Sequence, residues 1–122
     1  GTYQRIVQHA IEKMSACYGS KPEMILAGIG PSICQNCYQV GLNVLRAFIN
    51  NLGEKSQAYF KEDHHHFYVD LWEANVDLLK EAGVKKIEKS GICTACHLED
   101  WYSHRAEHGK TGRFGVLMAL AP

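Results

Sequence analysis

Two Cys-x-x-Cys pairs are the residues of this sequence whose types and spacing most directly predict chemistry. The pairs are Cys34 with Cys37 and Cys93 with Cys96. At this spacing two thiolates reach one tetrahedral zinc ion, so two pairs together would make a closed four-cysteine structural site. His97 follows the second pair and is an alternative ligand. Residues 38–92 stand against a shared ion, because they include two predicted helices and compact zinc ribbons keep their pairs much closer.

The same cysteines allow three other interpretations. Cys37 or Cys93 beside a protonated His97 or His104 would have a lowered thiol pKa and serve as a nucleophile. A reversible disulfide within one pair would make the chain a redox dithiol protein, and a buried free cysteine is often only a small hydrophobic side chain. The five cysteines are an odd number, which excludes complete pairing within one chain. Reduced thiols are the rule in a cytosolic protein.

A polar stretch near the carboxyl end predicts an anion site. Arg105 and Arg113 flank a turn that contains Gly109 and Gly112. Guanidinium groups bind carboxylate or phosphate through two parallel hydrogen bonds, and glycine lets the backbone approach a ligand closely. The alternative is a polar hairpin whose charges are only solvated.

The run His64-His65-His66 follows a polar segment. Imidazole suits zinc and copper, but adjacent residues of a regular backbone cannot all face one ion. We therefore predict a loop over residues 54–66 rather than a metal site.

Composition excludes several classes of protein. The 122 residues carry 13 basic and 13 acidic side chains, so the sequence has no basic surplus that would indicate a nucleic acid or an anionic membrane. It has no apolar run near the ~20 residues of a spanning helix. These features predict one soluble, cytoplasmic domain over residues 1–122.

The elements that must position these residues follow from hydrophobic spacing. Helices are predicted over residues 3–17, over 42–51, and from an Asp70 N-cap to a Gly83 at the C′ position. Strands are predicted over residues 24–29, buried on both sides, and over 67–69, 84–87 and 114–120. Alternating helices and strands predict an α/β (α+β) class, a layered sandwich with a buried mixed sheet flanked by helices.

Several short motifs, taken in order, resemble the C-terminal half of the YfiH-type family, also called the laccase-domain or polyphenol oxidase family. The motifs are Gly30-Pro31-Ser32-Ile33, Tyr38-Gln39-Val40-Gly41, Asp70-Leu71 with Asn75, Cys93-Thr94, Ser103-His104-Arg105 and Thr111-Gly112-Arg113. The match covers essentially the whole chain. Family members often have Tyr where this chain has His104 and a second Arg where it has Ala106.

The resemblance implies an activity and an incomplete chain. Family members are described as purine nucleoside phosphorylases with adenosine deaminase activity, and also as polyphenol oxidases. Gly1-Thr2 resembles the end of a His-x-Gly-Trp-Arg-Gly-Thr motif. The zinc or copper ligands of the family, two His and one Cys, lie before that point, so the resemblance implies no metal ligand in this chain. We expect the chain alone to be inactive, and to dock with the missing N-terminal segment or to self-associate.

The resemblance also suggests substrate contacts for a purine nucleoside and phosphate, or for a phenol. Candidates for the anion are Ser103, Arg105, Thr111 and Arg113. Tyr38 and the Gly30-Pro31 turn are candidates for the base, and His104 is the candidate proton donor. The alternative function is a small non-enzymatic module in which Cys34, Cys37, Cys93 and Cys96 bind zinc.

Overall fold

The structure is a computed structural model that describes residues 1–122. Its three α-helices are α1 (Ile6–Tyr18), α2 (Leu42–Leu52) and α3 (Leu71–Glu81). Its five short strands are β1 (Leu26–Ile29), β2 (Gln39–Val40), β3 (Phe60–Asp63), β4 (His66–Val69) and β5 (Lys86–Lys89). Single 3-10 turns occupy Thr2–Gln4, Pro22–Met24 and Gln35–Cys37, and a longer one covers Glu54–Tyr59. No helix combines the length and the apolar character that crossing a membrane requires.

The strands form two small sheets. β1 and β5 are parallel, with Leu26 opposite Lys86 and Ile29 opposite Lys89. β2, β4 and β3 form an antiparallel sheet in that order. Parallel and antiparallel pairs flanked by helices confirm the predicted α/β class.

The larger core lies between α2, α3 and the antiparallel sheet. Its buried members are Val40, Phe48, Leu52, Tyr59, Val69, Ala74 and Leu78. Phe48 is only 1% exposed, and the rings of Tyr3 and Phe60 meet it edge-on at 5.6 and 5.2 Å between centroids. A smaller core of Ile11, Leu79 and Val84 joins α1 and α3 to the parallel pair. The apolar faces that predicted α2 and α3 therefore pack in the core, whereas α1 buries only Ile11 and leaves Ile6 and Met14 exposed.

Two predicted elements are wrong. Residues 60–66 were predicted as the end of a loop but form β3, a hairpin turn and the first residue of β4, with His64 and His65 in the turn at φ values of 48° and 65°. The predicted strand at 67–69 is confirmed as part of β4. Residues 114–120 form no strand, and Val116 and Leu117 are exposed. A strand needs the backbone of a neighbour as well as apolar side chains, and the sequence pattern reports only the second requirement. β1 also differs from the prediction, because Leu26 is exposed rather than buried.

The start of α3 agrees with the prediction. The Asp70 carboxylate accepts a hydrogen bond from the backbone N–H of Glu73 at 3.0 Å. We expect Asp70→Ala to lower the free energy of unfolding by about 1 kcal/mol, because a first-turn N–H loses its partner. Urea denaturation measures the loss, and Asp70→Ser, which keeps a capping oxygen, should retain most of the stability. Equal losses in both variants would contradict the capping role.

Candidate functional site

The two Cys-x-x-Cys pairs converge because β1 and β5 are parallel neighbours. The loops that follow these strands leave the same edge of the sheet, and the pairing continues beyond the strands. Ser32 pairs with Cys93 in a parallel bridge, where the N–H of Ser32 donates to Ile92 at 3.1 Å and that of Thr94 donates to Ser32 at 3.2 Å. The indole N–H of Trp72, on α3, donates to the Ser32 hydroxyl at 2.6 Å and anchors the first loop. The expectation that residues 38–92 hold the pairs apart is therefore wrong.

The four sulfur atoms form one compact cluster. The Sγ atoms of Cys34, Cys37, Cys93 and Cys96 all lie within 4.8 Å of one another. Cys37 Sγ and Cys96 Sγ are 3.4 Å apart, and the backbone N–H of Cys34 donates to Cys93 Sγ at 3.2 Å. Cys93 is buried, Cys34 and Cys37 are half-buried, and Cys96 is exposed, with no disulfide among them. The cluster is thus partly accessible to solvent, at Cys96.

The thiols of this cluster differ in acidity. Burial raises the pKa of Cys93, but backbone N–H donors of Cys34 and Cys96 outweigh it and bring the pKa down to about 6. Burial, followed by contact with the Cys96 thiol, raises the pKa of Cys37 well above its ordinary value. The Cys93 thiol is therefore easily deprotonated, and the thiolate is the form of cysteine that binds metal.

Neither histidine proposed as a partner of a nucleophilic cysteine contacts a sulfur. His97 Nδ1 lies 3.4 Å from the Glu99 carboxylate. The His104 ring lies beside Gly109, where an added Cβ would be 3.4 Å from its Cε1. A cysteine–histidine nucleophile therefore has no support from these contacts.

Tyr38 and Arg105 are brought together at the edge of β2. The Arg105 guanidinium lies over the Tyr38 ring, with Cζ 4.8 Å from the ring centroid, and Nη1 donates to the backbone carbonyl of Gln39. The contact is a cation–π pair. It fixes the stretch after Cys96 against the antiparallel sheet. Arg105 is the only one of the predicted substrate contacts that also lines the cavity described next.

A cavity of about 590 Å³ opens beside Arg105. It is lined by Cys37, Gln39, Val40, Gly41, Leu42, His65, His66, Phe67 and Arg105. The ring nitrogen Nδ1 of His66 lies 3.0 Å from the side-chain amide of Gln39. His65 and His66 reach this wall because the run that contains them forms a hairpin turn, which sequence analysis treated as a plain loop. No spacing signal in the sequence indicates that proximity.

Ser103 and Thr111 already bind an anion, which is a carboxylate of the chain itself. The backbone N–H of Ser103 donates to Glu107 Oε2 at 2.9 Å, and the Thr111 hydroxyl donates to the same oxygen. The Ser103 hydroxyl accepts from the N–H of Ala106 at 3.3 Å and is buried. Ser103 and Thr111, both predicted to bind an anion, therefore stabilise the turn that contains Glu107.

Arg113 is exposed and has neither a hydrogen bond nor an ion pair in the structure. The preceding Gly112 lies against the Tyr102 ring, where a Cβ would be 2.6 Å from Cζ. Arg105 is engaged by β2 and Arg113 is free, so the anion clamp between them stays a prediction.

The Glu107 contacts predict a pH effect. The Thr111 hydroxyl and the Ser103 N–H lower the pKa of the Glu107 carboxyl. Because the folded-state pKa is lowered, these contacts stabilise the turn above the ordinary pKa of a glutamate and are lost as the pH falls through the lowered value. We expect an NMR titration to show the lowered pKa in the native protein and in Thr111→Ser. In Thr111→Val the pKa should move back up, and an unchanged pKa there would exclude the hydroxyl as its cause.

The sequence and the fold match a known family. The profile of the family described as "Multi-copper polyphenol oxidoreductase laccase" matches residues 1–121. The chain therefore belongs to the laccase-domain, YfiH-type family, as the motifs predict.

Three relatives illustrate the family. A protein of Deinococcus radiodurans named purine nucleoside phosphorylase is 38% identical over 121 residues, covering 98% of this chain and 45% of that protein. "Adenosine deaminase RL5", of an unknown prokaryotic organism, is 33% identical over 121 residues, covering 93% of this chain and 44% of that protein. The crystal structure of the Bacillus licheniformis hypothetical protein YfiH has a TM-score of 0.83 and 34% identity, covering 92% of this chain and 43% of that one. The chain thus spans under half the length of these relatives.

The residues of this chain do not fit a laccase-type copper centre. Its only convergent group of three or more potential ligand side chains is the four-cysteine cluster, and no histidine belongs to it. Copper(II) sites of that type are built largely from imidazole, whereas an all-thiolate set selects zinc or copper(I). The enzyme names of the relatives also disfavour a non-enzymatic zinc-binding module as the function.

Proposed function

We propose that this chain is part of a purine nucleoside phosphorylase. In the proposed reaction, a phosphate oxygen attacks the anomeric carbon of a purine nucleoside such as adenosine or inosine. The glycosidic C–N bond breaks, the base leaves with a proton, and ribose 1-phosphate forms. Family membership and the names of the relatives support this assignment. The structural observation that carries it is a fixed guanidinium beside a cavity, the Arg105 group held over Tyr38.

Arg105 supplies the positive charge that such a reaction needs. Its guanidinium is held in place by the Tyr38 ring and the Gln39 carbonyl, so little reorganisation is required when phosphate binds. A guanidinium has five N–H donors, and one of them is used at Gln39, which leaves donors for an anion. We propose that Tyr38 acts mainly by holding this group in position.

His104 remains our candidate for the proton that the leaving base takes up. It is exposed and precedes Arg105 directly, and an imidazole can act as a general acid. We also propose that the exposed Arg113 contributes to phosphate binding from outside the cavity wall.

We place the metal centre of the family in protein outside these 122 residues. The relatives are more than twice as long as the matched region, and the converging side chains here are all thiols. We further propose that such a segment, or a second copy of this chain, covers the exposed apolar side chains near β1 and the carboxyl end. These are Met24, Leu26, Val116, Leu117 and Leu120. We propose a cytoplasmic location, where cysteines are ordinarily kept reduced.

The natural full-length protein tests this function directly. We expect it to release hypoxanthine from inosine in the presence of phosphate, with ribose 1-phosphate formed in equal amount, and to stop when sulfate replaces phosphate. Release of ammonia from adenosine without phosphate would indicate a deaminase instead. Oxidation of a phenol with no cleavage of inosine would favour the polyphenol oxidase interpretation and overturn our assignment.

A further inference from the structure

We propose that Cys34, Cys37, Cys93 and Cys96 bind one structural zinc ion. The site is separate from the proposed phosphorylase chemistry, and the proposal stands whether or not that activity is found. It rests on the convergence of two sequence-distant pairs at one edge of the parallel sheet.

The geometry fits a tetrahedral tetrathiolate centre. Zinc–sulfur bonds of about 2.3 Å place the sulfurs of such a centre about 3.8 Å apart. The four Sγ atoms here lie within 4.8 Å of one another, and the Cys37–Cys96 distance is 3.4 Å. Small rotations of the side chains are enough to bring these atoms to equal distances around one ion. No other ligand is needed, so the site would be closed, as structural zinc sites are.

The surroundings fit an anionic sulfur cluster. The N–H of Cys34 donates to Cys93 Sγ, and such donors stabilise thiolates. Metal binding releases the thiol protons to solvent and leaves four thiolates on a divalent cation. A divalent cation offsets the repulsion between neighbouring thiolates and keeps all four sulfurs anionic.

The position of the cluster suggests what the ion would stabilise. The first pair begins the loop whose 3-10 turn, Gln35–Cys37, leads into Tyr38 and β2. The second pair begins the stretch that carries Ser103 and Arg105. An ion bound by both pairs would therefore fix the two segments that form the Tyr38–Arg105 contact. Cys37 itself lines the adjoining cavity.

A disulfide is the main competing arrangement for these sulfurs. The close pair in the structure, Cys37 and Cys96, joins the two motifs instead of closing either one. A redox dithiol of the Cys-x-x-Cys type forms its bond within one motif. The observed arrangement, with all four sulfurs mutually close, favours an ion over a pairwise exchange.

Metal content and cobalt spectroscopy test the proposal. Natural full-length protein, purified with reductant and without chelator, should contain zinc at about one equivalent more than its Cys96→Ser variant. Cys17→Ser is the matched control, because Cys17 is also a free, exposed cysteine but lies on α1 away from the cluster. It should keep the full zinc content. The difference between the two variants isolates this site from any metal bound elsewhere in the protein.

Cobalt(II) added to metal-depleted protein gives a second measurement that does not depend on how a variant folds. We expect the intense visible bands of tetrahedral cobalt together with a sulfur-to-cobalt charge-transfer band several times stronger than a single cysteine ligand would give. Zinc should abolish both signals by displacement, and chelation of zinc should lower the melting temperature. Equal metal content in Cys96→Ser and Cys17→Ser, or cobalt spectra without the charge-transfer band, would overturn the proposal. A disulfide found by mass spectrometry in protein purified without oxidant would do the same.

Discussion

Replacing Arg105 by alanine should lower kcat/KM for phosphorolysis of inosine by about 10²-fold, because one preorganised donor to the transferred phosphate is lost. Arg105→Lys keeps the charge but loses the planar fork, so we expect a smaller yet clear loss. Steady-state kinetics of the natural full-length protein at saturating and subsaturating phosphate would measure both effects. The loss should appear mainly in kcat and in the KM for phosphate, and less in the KM for inosine.

Arg46 is the matched control for this prediction. It is an exposed arginine on α2, outside the cavity lined by Arg105. Arg46→Ala should leave kcat/KM unchanged. Equal activity of Arg105→Ala and Arg46→Ala would remove Arg105 from the site. A melting temperature that falls in step with the activity would assign Arg105 the structural role of tying its segment to β2.

The second large effect concerns the core. Phe48→Ala should lower the free energy of unfolding by about 3–5 kcal/mol, since a fully buried aromatic side chain leaves a cavity between Tyr3 and Phe60. Urea denaturation would measure the loss. Tyr18→Ala, at an aromatic side chain that is 84% exposed, should change the stability by no more than about 0.5 kcal/mol. Comparable losses in the two variants would mean that burial of the Phe48 ring is not the cause of the larger effect.

Local signals in the sequence were sufficient for much of this fold. The apolar spacing of α2 and α3, the Asp70 cap and the Gly83 stop are read from neighbouring residues, and the structure confirms them. Gly83 has a φ of 97°, which glycine accepts without strain. These features depend on residues close together in the sequence, so they can be predicted without knowing which distant segments pair.

Features that depend on distant pairing could not be predicted in the same way. The four-cysteine cluster exists because β1 pairs with β5, which lies 60 residues further along the chain, and no residue of either strand specifies its partner. The apolar run at 114–120 shows the converse, since it has strand composition but no backbone partner. The hairpin at His64 and His65 was missed because its turn requires positive φ at residues that carry no glycine signal.

The role of the candidate site stays a prediction, although the structure brings two of its residues together. Ordered motifs indicated Tyr38 and Arg105, and the structure brings them into contact. Ser103 and Thr111 were expected to bind an external anion, whereas their hydrogen bonds go to Glu107. Residue type alone shows that Ser103 and Thr111 can donate hydrogen bonds to an anion. It does not show that this anion is the Glu107 carboxylate of the same chain. His65 and His66 entered the cavity wall only through the geometry of the hairpin.

The most direct test is a crystal structure of the natural full-length protein with phosphate and a purine nucleoside bound. The proposed function predicts a phosphate oxygen within hydrogen-bond distance of the Arg105 guanidinium, on the cavity side of its contact with Tyr38. Phosphate bound at another surface, with Arg105 contacting only Tyr38 and Gln39, would contradict it.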